Sequence, residues 1–130
     1  MQSFTLVIYA SPQSPSSMTA LNFARALLAS GHSLYRLFFY QDGVYNACSF
    51  QVPPQDEIDL PAAWQALVQE HEIDAVVCVA SALKRGIVDT AEAERYELAA
   101  ANLREGFVIS GLGQLIDATL NSDRTLNFLP

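Results

Sequence analysis

Apolar residues fall along this chain in short unbroken runs, separated by stretches with helical spacing. Phe4-Thr5-Leu6-Val7-Ile8-Tyr9 is apolar almost throughout, the pattern of a strand covered on both faces of its sheet. A Ser- and Pro-rich loop, Ala10–Ser17, follows, and Ser16 or Ser17 is placed to cap a helix over Met18–Ser30. In that helix Met18, Leu21, Ala24 and Leu28 share one side, and Gly31 ends it. Ser33–Tyr40, rich in aromatics, predicts a second strand. Asp42-Gly43 then turns the chain into a short helical piece near Val44–Ser49. Pro53-Pro54 and the acidic Asp56–Asp59 mark an exposed loop. Pro61 suits the first turn of a helix over Leu60–Glu70, anchored by Trp64 and Leu67. Ala75–Val79 reads as a central strand and Ala80–Gly86 as the loop after it. Asp89-Thr90-Ala91-Glu92 has capping-box spacing and opens a long helix to about Leu103. Gly106, a strand over Phe107–Ser110, a helix near Gln114–Leu120 and a last strand over Thr125–Phe128 complete the pattern. Strands alternating with helices predict an α/β three-layer sandwich, flavodoxin-like in appearance. Its five strands are mostly parallel, with helices on both faces, in one domain spanning residues 1–130.

Composition narrows the function classes. With 51% hydrophobic and 16% charged residues in 130, the chain has ample apolar surface to offset its entropy. So little charge on so small a domain points to a partner covering part of its surface. The longest apolar runs, Phe4–Ala10 and Ala75–Ala80, are strand-sized and fall short of the ~20 residues that a spanning helix needs. The net charge is −7, and the one basic pair joins the only lysine, Lys84, to Arg85. Such a chain repels phosphate, which argues against direct nucleic-acid binding. The N-terminus lacks a basic region, and Ser11–Pro15 cuts its apolar stretch short, so no export signal is expected and the expected location is the cytoplasm.

Cys78 stands one residue from the end of its predicted strand, close to where ligands and reactive groups gather in such folds, and Lys84 and Arg85 follow within reach. Nearby cations raise the thiolate fraction that a sulfur nucleophile needs. The commoner role of a cysteine in Val-Val-Cys-Val is that of an inert buried side chain, and spacing alone leaves both roles open. Cys48 has neither a basic neighbour nor a strand end and reads as structural. Two cysteines make neither a disulfide framework nor a zinc site. His32 and His71 read as surface histidines, and Glu92, Glu94 and Glu97 as a solvated helix face. The hydroxyls of Ser11, Ser14, Ser16, Ser17 and Thr19 line a strand–helix join of the kind that binds phosphates. That loop contains no glycine and two prolines, which argues against a flavin or nucleotide there.

Three segments, Phe38–Ala47, Cys78–Gly86 and Asn102–Gly113, together with Asp123-Arg124 and Phe128, resemble the DsrE/TusD sulfur-carrier family. The resemblance runs from the first strand to the last. It implies a DsrE-like fold and a sulfurtransferase subunit in which Cys78 carries a persulfide and needs no cofactor and no metal. It further implies a dimer of heterotrimers with TusB-like and TusC-like subunits, a TusA-like donor and a TusE-like acceptor. The relay it implies ends in 2-thiouridine at the tRNA wobble position. A DsrE-type subunit of intracellular sulfur oxidation, or a non-catalytic subunit of the same complex, stands as the alternative.

Overall fold

The computed structural model describes residues 1–130. Five strands form one sheet: β1 (Ser3–Ile8), β2 (Ser33–Phe39), β3 (Ala75–Cys78), β4 (Phe107–Ser110) and β5 (Arg124–Phe128). They lie in the order β4-β3-β2-β1-β5, and every pairing is parallel. The helices are α1 (Pro15–Ala29), α2 (Leu60–His71), α3 (Val79–Lys84), α4 (Thr90–Arg95) and α5 (Gly113–Asn121), with a 3-10 helix over Gln41–Ala47. This is the expected α/β sheet with helices on both faces.

Side-chain alternation divides the strands between two unequal layers. Phe4, Leu6 and Ile8 of β1, Leu37 and Phe39 of β2, Ala75 and Val77 of β3 and Phe107 of β4 point into one cluster of 22 buried residues, shared with α1 and α2. Val7, Phe38, Val76 and Cys78 point the other way into a much smaller cluster, covered by Leu115 of α5. In the larger layer Trp64 is fully buried and meets Phe39 edge-on at 5.4 Å. Burying so large a side chain contributes about 2–3 kcal/mol.

The loops around the first strand are joined by a buried polar network. The Ser17 hydroxyl donates to Asn46 Oδ1 at 2.8 Å and accepts the Trp64 indole N–H at 3.3 Å. Asn46 Nδ2 donates to the carbonyls of Ala10 and Gly43, each at 2.9 Å. Ser17 is therefore core, and the residue that caps α1 is Ser14, whose Oγ accepts the Ser16 N–H ahead of Pro15 at the first helical position. Neither Ser16 nor Ser17 caps that helix.

Two other elements differ from the sequence pattern. The segment Ala80–Gly86 is not a loop: α3 begins directly after Cys78, and Gly86 at φ +74° follows its end. The long helix to Leu103 stops at Arg95, and Glu97 turns left-handed at φ +55°. Helix propensity in the Ala-rich stretch yields to tertiary ties. Asn102 Oδ1 accepts the Val88 N–H, Asn102 Nδ2 donates to the Gly86 carbonyl, and Leu103 pairs its backbone with Cys48. The capping contact itself is present, since Asp89 Oδ1 accepts the Glu92 N–H at 2.8 Å.

A charged cluster fastens α5 to β2. Arg36 reaches Asp74 at 2.7 Å and Asp117 at 3.0 Å, and donates to the Gln114 carbonyl at 2.7 Å; the Tyr35 hydroxyl donates to Asp117 at 2.8 Å. The Tyr35 hydrogen bond, then the Arg36 guanidinium, hold the Asp117 carboxyl below its ordinary value. Because the folded value lies below the unfolded one, this anchor is complete above the ordinary carboxylate range and is lost as pH falls through the folded value. Amide protection over residues 114–121, relative to intrinsic exchange, is therefore expected to fall once pH drops below the ordinary carboxylate range, ahead of protection in β1 and β2. Asp117→Asn should make that segment exchange faster at neutral pH and flatten its acid dependence.

Candidate functional site

The strand order creates a crevice at one place. After β3 the chain turns into α3, whose Ala82 joins the larger core with Ile87 just beyond it. After β4, the neighbouring strand, it turns into α5 on the opposite face. Connections that leave adjacent parallel strands toward opposite faces open a cleft at their carboxyl ends, the usual ligand position in such sheets. Cys78 is the last residue of β3 and Leu112 follows β4, so both border this cleft of about 280 Å³.

Cys78 is a free thiol, only 2% exposed, with Val7, Phe38 and Val76 about it in the smaller cluster. Across the cleft stand Tyr40 and Gln41, brought there by the end of β2. The Tyr40 ring meets Tyr9 at 5.5 Å and Phe38 at 6.0 Å. Gln41 holds φ +50°, a left-handed conformation that costs a side chain about 1–2 kcal/mol. Ser81 Oγ offsets this by accepting the Gln41 N–H at 3.0 Å.

Lys84 and Arg85 both line the same cleft, and their situations differ. Arg85 Nε donates to Asp42 Oδ1 at 2.8 Å, and its Nη1 donates to the Ser81 carbonyl at 3.2 Å. Its charge is matched and its position set. Lys84 is exposed and enters no ion pair. Its ammonium is the cleft's one positive charge without an ion-pair partner, in a chain of net charge −7. A thiol in a cleft lined by both apolar and polar side chains, with one unpaired cation among them, has the surroundings in which a thiolate could meet an anionic sulfur species.

The other residues singled out from sequence lie elsewhere. Cys48 is in the larger core, on the opposite face of the sheet from Cys78, and its carbonyl accepts from Arg104 at 3.2 Å. His32 Nδ1 accepts the Gln2 N–H, and its ring packs on Phe4 at 5.5 Å. His71 is exposed near Glu70. Of the hydroxyls in the first loop, Ser14 caps α1, Ser17 is buried, and Thr19 donates to the Pro15 carbonyl. Tyr40, Gln41, Asp42, Ser81 and Leu112 were not singled out. Tyr40 and Leu112 carry the same signal as Cys78, a place at the carboxyl end of a strand.

The smaller layer is incompletely covered. Val108 of β4, 54% exposed, lies on this face beside Val76, and Leu112, Ile116 and Leu120 form an exposed apolar stripe along α5 at four-residue spacing. No helix of the chain is long and apolar enough to cross a membrane.

The chain has close relatives. It is 50% identical over 125 residues to the sulfurtransferase TusD homolog of Pseudomonas aeruginosa, covering 96% of this chain and 95% of that protein. It is 49% identical over 129 residues to sulfurtransferase TusD of Cronobacter sakazakii, covering 96% and 98%. Its fold matches the crystal structure of the ychN protein from E. coli with a TM-score of 0.78 at 24% identity, over 98% of this chain and all of the other. The model of the DsrE/DsrF-like family matches residues 2–128, and the chain belongs to that family.

Proposed function

We propose that the chain is the subunit of a sulfur relay in which Cys78 carries the moving sulfur. Sulfur transfer is its activity class, on relatives named sulfurtransferases at about half identity over nearly their whole length. The observation that carries the residue assignment is the free thiol of Cys78 at the mouth formed by β3 and β4, beside the unmatched Lys84. Cys48, the other thiol, is enclosed on the far side of the sheet.

In the first step the Cys78 thiolate attacks the outer sulfur of a persulfidated TusA-like donor. The donor's sulfur–sulfur bond breaks, its inner sulfur leaves as a thiolate, and the proton stays on the transferred sulfur. In the second, a TusE-like acceptor thiolate attacks that outer sulfur and Cys78 leaves as thiolate. Each step makes one sulfur–sulfur bond and breaks one, so no outside oxidant or reductant enters. The relay ends in 2-thiouridine at the tRNA wobble position. The net charge of −7 suits a protein that meets other proteins and leaves the tRNA to a later enzyme. TusB-like and TusC-like subunits complete the assembly, a dimer of heterotrimers in the reducing cytoplasm. The exposed Ile116 and Leu120 of α5, with Val108 of β4, support such partners, because an apolar surface of this kind gains by being covered.

The test is to incubate the chain with a persulfidated donor and map peptide masses. One added sulfur on the Cys78 peptide, lost again on adding an acceptor thiol protein, is the expected result; a gain on Cys48 alone overturns the assignment. A second measurement separates the two cations. Lys84→Ala should slow transfer about fivefold at low salt, a deficit that shrinks as salt rises, since exposed charges act over a screening length of about 10 Å at 0.1 M. Arg85→Ala should instead loosen the Asp42 contact and lower thermal stability by about 1 kcal/mol or less. A Lys84→Ala chain with parent rates at low salt assigns that ammonium no part in the reaction.

A further inference from the structure

Cys78 is almost wholly enclosed, yet exchange at sulfur needs the incoming sulfur in contact and in line with the bond that breaks. Some part of the cleft wall must therefore move. Most of that wall is tied down: Gln41 to Ser81, Arg85 to Asp42 and Ser81, and Tyr40 by its N–H to the Ile8 carbonyl at 3.0 Å. Leu112 is different. It comes from the other side of the crevice and is 47% exposed, and its carbonyl is held only locally, by the Leu115 and Ile116 N–H groups in the first turn of α5, at 3.0 and 3.2 Å.

The residues on either side of Leu112 are glycines, and the closed structure needs neither of them to be glycine. Gly111 and Gly113 lie outside the left-handed region, and a Cβ built on either meets nothing within 4 Å. Contrast Gly43, where a Cβ would strike the Ile8 carbonyl. Immediately beyond Gly113 the helix is anchored again, because Arg36 holds the Gln114 carbonyl and Asp117. A three-residue turn with a glycine at each end, bonded only to the first turn of α5, thus sits between a strand and a fastened helix, with one apolar side chain lining the thiol cleft.

We propose that Gly111-Leu112-Gly113 is the gate of this cleft: Leu112 shields Cys78 in the closed state and swings outward to admit the partner's sulfur. The glycines serve the open state, in which the backbone takes up dihedral angles that alanine disfavours. The gate keeps water and small oxidants from a sulfur-loaded Cys78 between the two transfers. The proposal rests on Cys78 being the reacting thiol, and its test does not require sulfur transfer.

The parent chain, Gly111→Ala/Gly113→Ala and Leu112→Ala are alkylated with iodoacetamide under native conditions, and peptides are mapped so that Cys78 is read apart from Cys48. A thiol that reacts only when uncovered alkylates in proportion to the open population. The double-alanine chain should alkylate at Cys78 about tenfold more slowly, with Tm unchanged or raised, because alanine fits the closed conformation and narrows the unfolded ensemble. Leu112→Ala should alkylate about tenfold faster. Both shifts are required, and either one missing overturns the gate. A parent chain whose Cys78 alkylates as described but takes no sulfur from a donor overturns the relay and leaves the gate standing.

Discussion

Cys78→Ala is expected to keep the fold and to reduce sulfur uptake and transfer to the uncatalysed background. The thiol sits in a small apolar cluster with Val7, Phe38 and Val76, so removing Sγ leaves a modest void and costs about 1–2 kcal/mol. Cys78→Ser places a hydroxyl where the surroundings are apolar and costs about 1–3 kcal/mol, which makes alanine the cleaner variant. A relay through a covalent persulfide has no substitute for its sulfur, so the loss should be complete rather than partial. Thermal melting and far-UV circular dichroism establish that the variant is folded, and peptide masses after donor incubation read uptake. Cys48→Ala supplies the opposite pattern: it opens a void in the larger core and lowers Tm, while uptake at Cys78 continues. Transfer by Cys78→Ala at the parent rate would falsify the relay assignment outright, and the chain would then serve its complex structurally.

Much of this was legible in the amino-acid order, for reasons that differ by element. Phe4–Tyr9 reads as a strand because both faces of β1 are covered, which leaves an unbroken apolar run. Pro61 marks the start of α2, while the cap itself, Asp59, whose Oδ1 accepts the Ala62 N–H, reads in the sequence only as part of an acidic loop. Pattern alone puts Cys78 one residue from the end of a strand, and in the structure it is the last residue of β3. What pattern does not contain is strand order. The cleft exists because β3 and β4 are neighbours whose connections part to opposite faces, and only the paired sheet supplies that fact. For the same reason sequence does not join Leu112 to Cys78: the two line one cleft across more than thirty residues of chain. The Asp42–Arg85 pair, separated by 43 positions, sorts the two adjacent cations into one matched and one free, which sequence treats alike. The false extension of α4 has the reverse cause. Leu98–Ala101 has good helix propensity, but the chain just beyond is held by Asn102 and by Leu103 pairing with Cys48.

Gly43→Ala should be the most destabilising single methyl that can be added near this site. Its Cβ would overlap the Ile8 carbonyl oxygen and lie 2.8 Å from the carbonyl carbon. Both are backbone atoms of β1, a strand paired on both sides, so no flexible side chain can yield. Ile8 is also fixed on its far side, pairing with Phe39 and Phe128, and its carbonyl accepts the Tyr40 N–H. The strain must therefore be relieved by displacing the 3-10 helix, which breaks the bond from Asn46 Nδ2 to the Gly43 carbonyl inside a buried network. Overpacking against backbone together with one buried polar group left unmatched costs about 3–5 kcal/mol, a large share of the ~5–15 kcal/mol that holds a domain of this size. Function should fail sooner than folding. The displaced segment carries Tyr40, Gln41 and Asp42, the far wall of the cleft and the partner of Arg85. At a temperature where Gly43→Ala remains mostly folded, Cys78 should alkylate faster than in the parent because its cover is disturbed, while sulfur transfer to an acceptor protein slows because the docking wall has moved. Chemical denaturation gives the first magnitude, and parallel alkylation and transfer rates give the second. A Gly43→Ala chain with parent stability would mean that β1 and the 3-10 helix can separate at little cost, and that the cleft wall is not fixed by their contact.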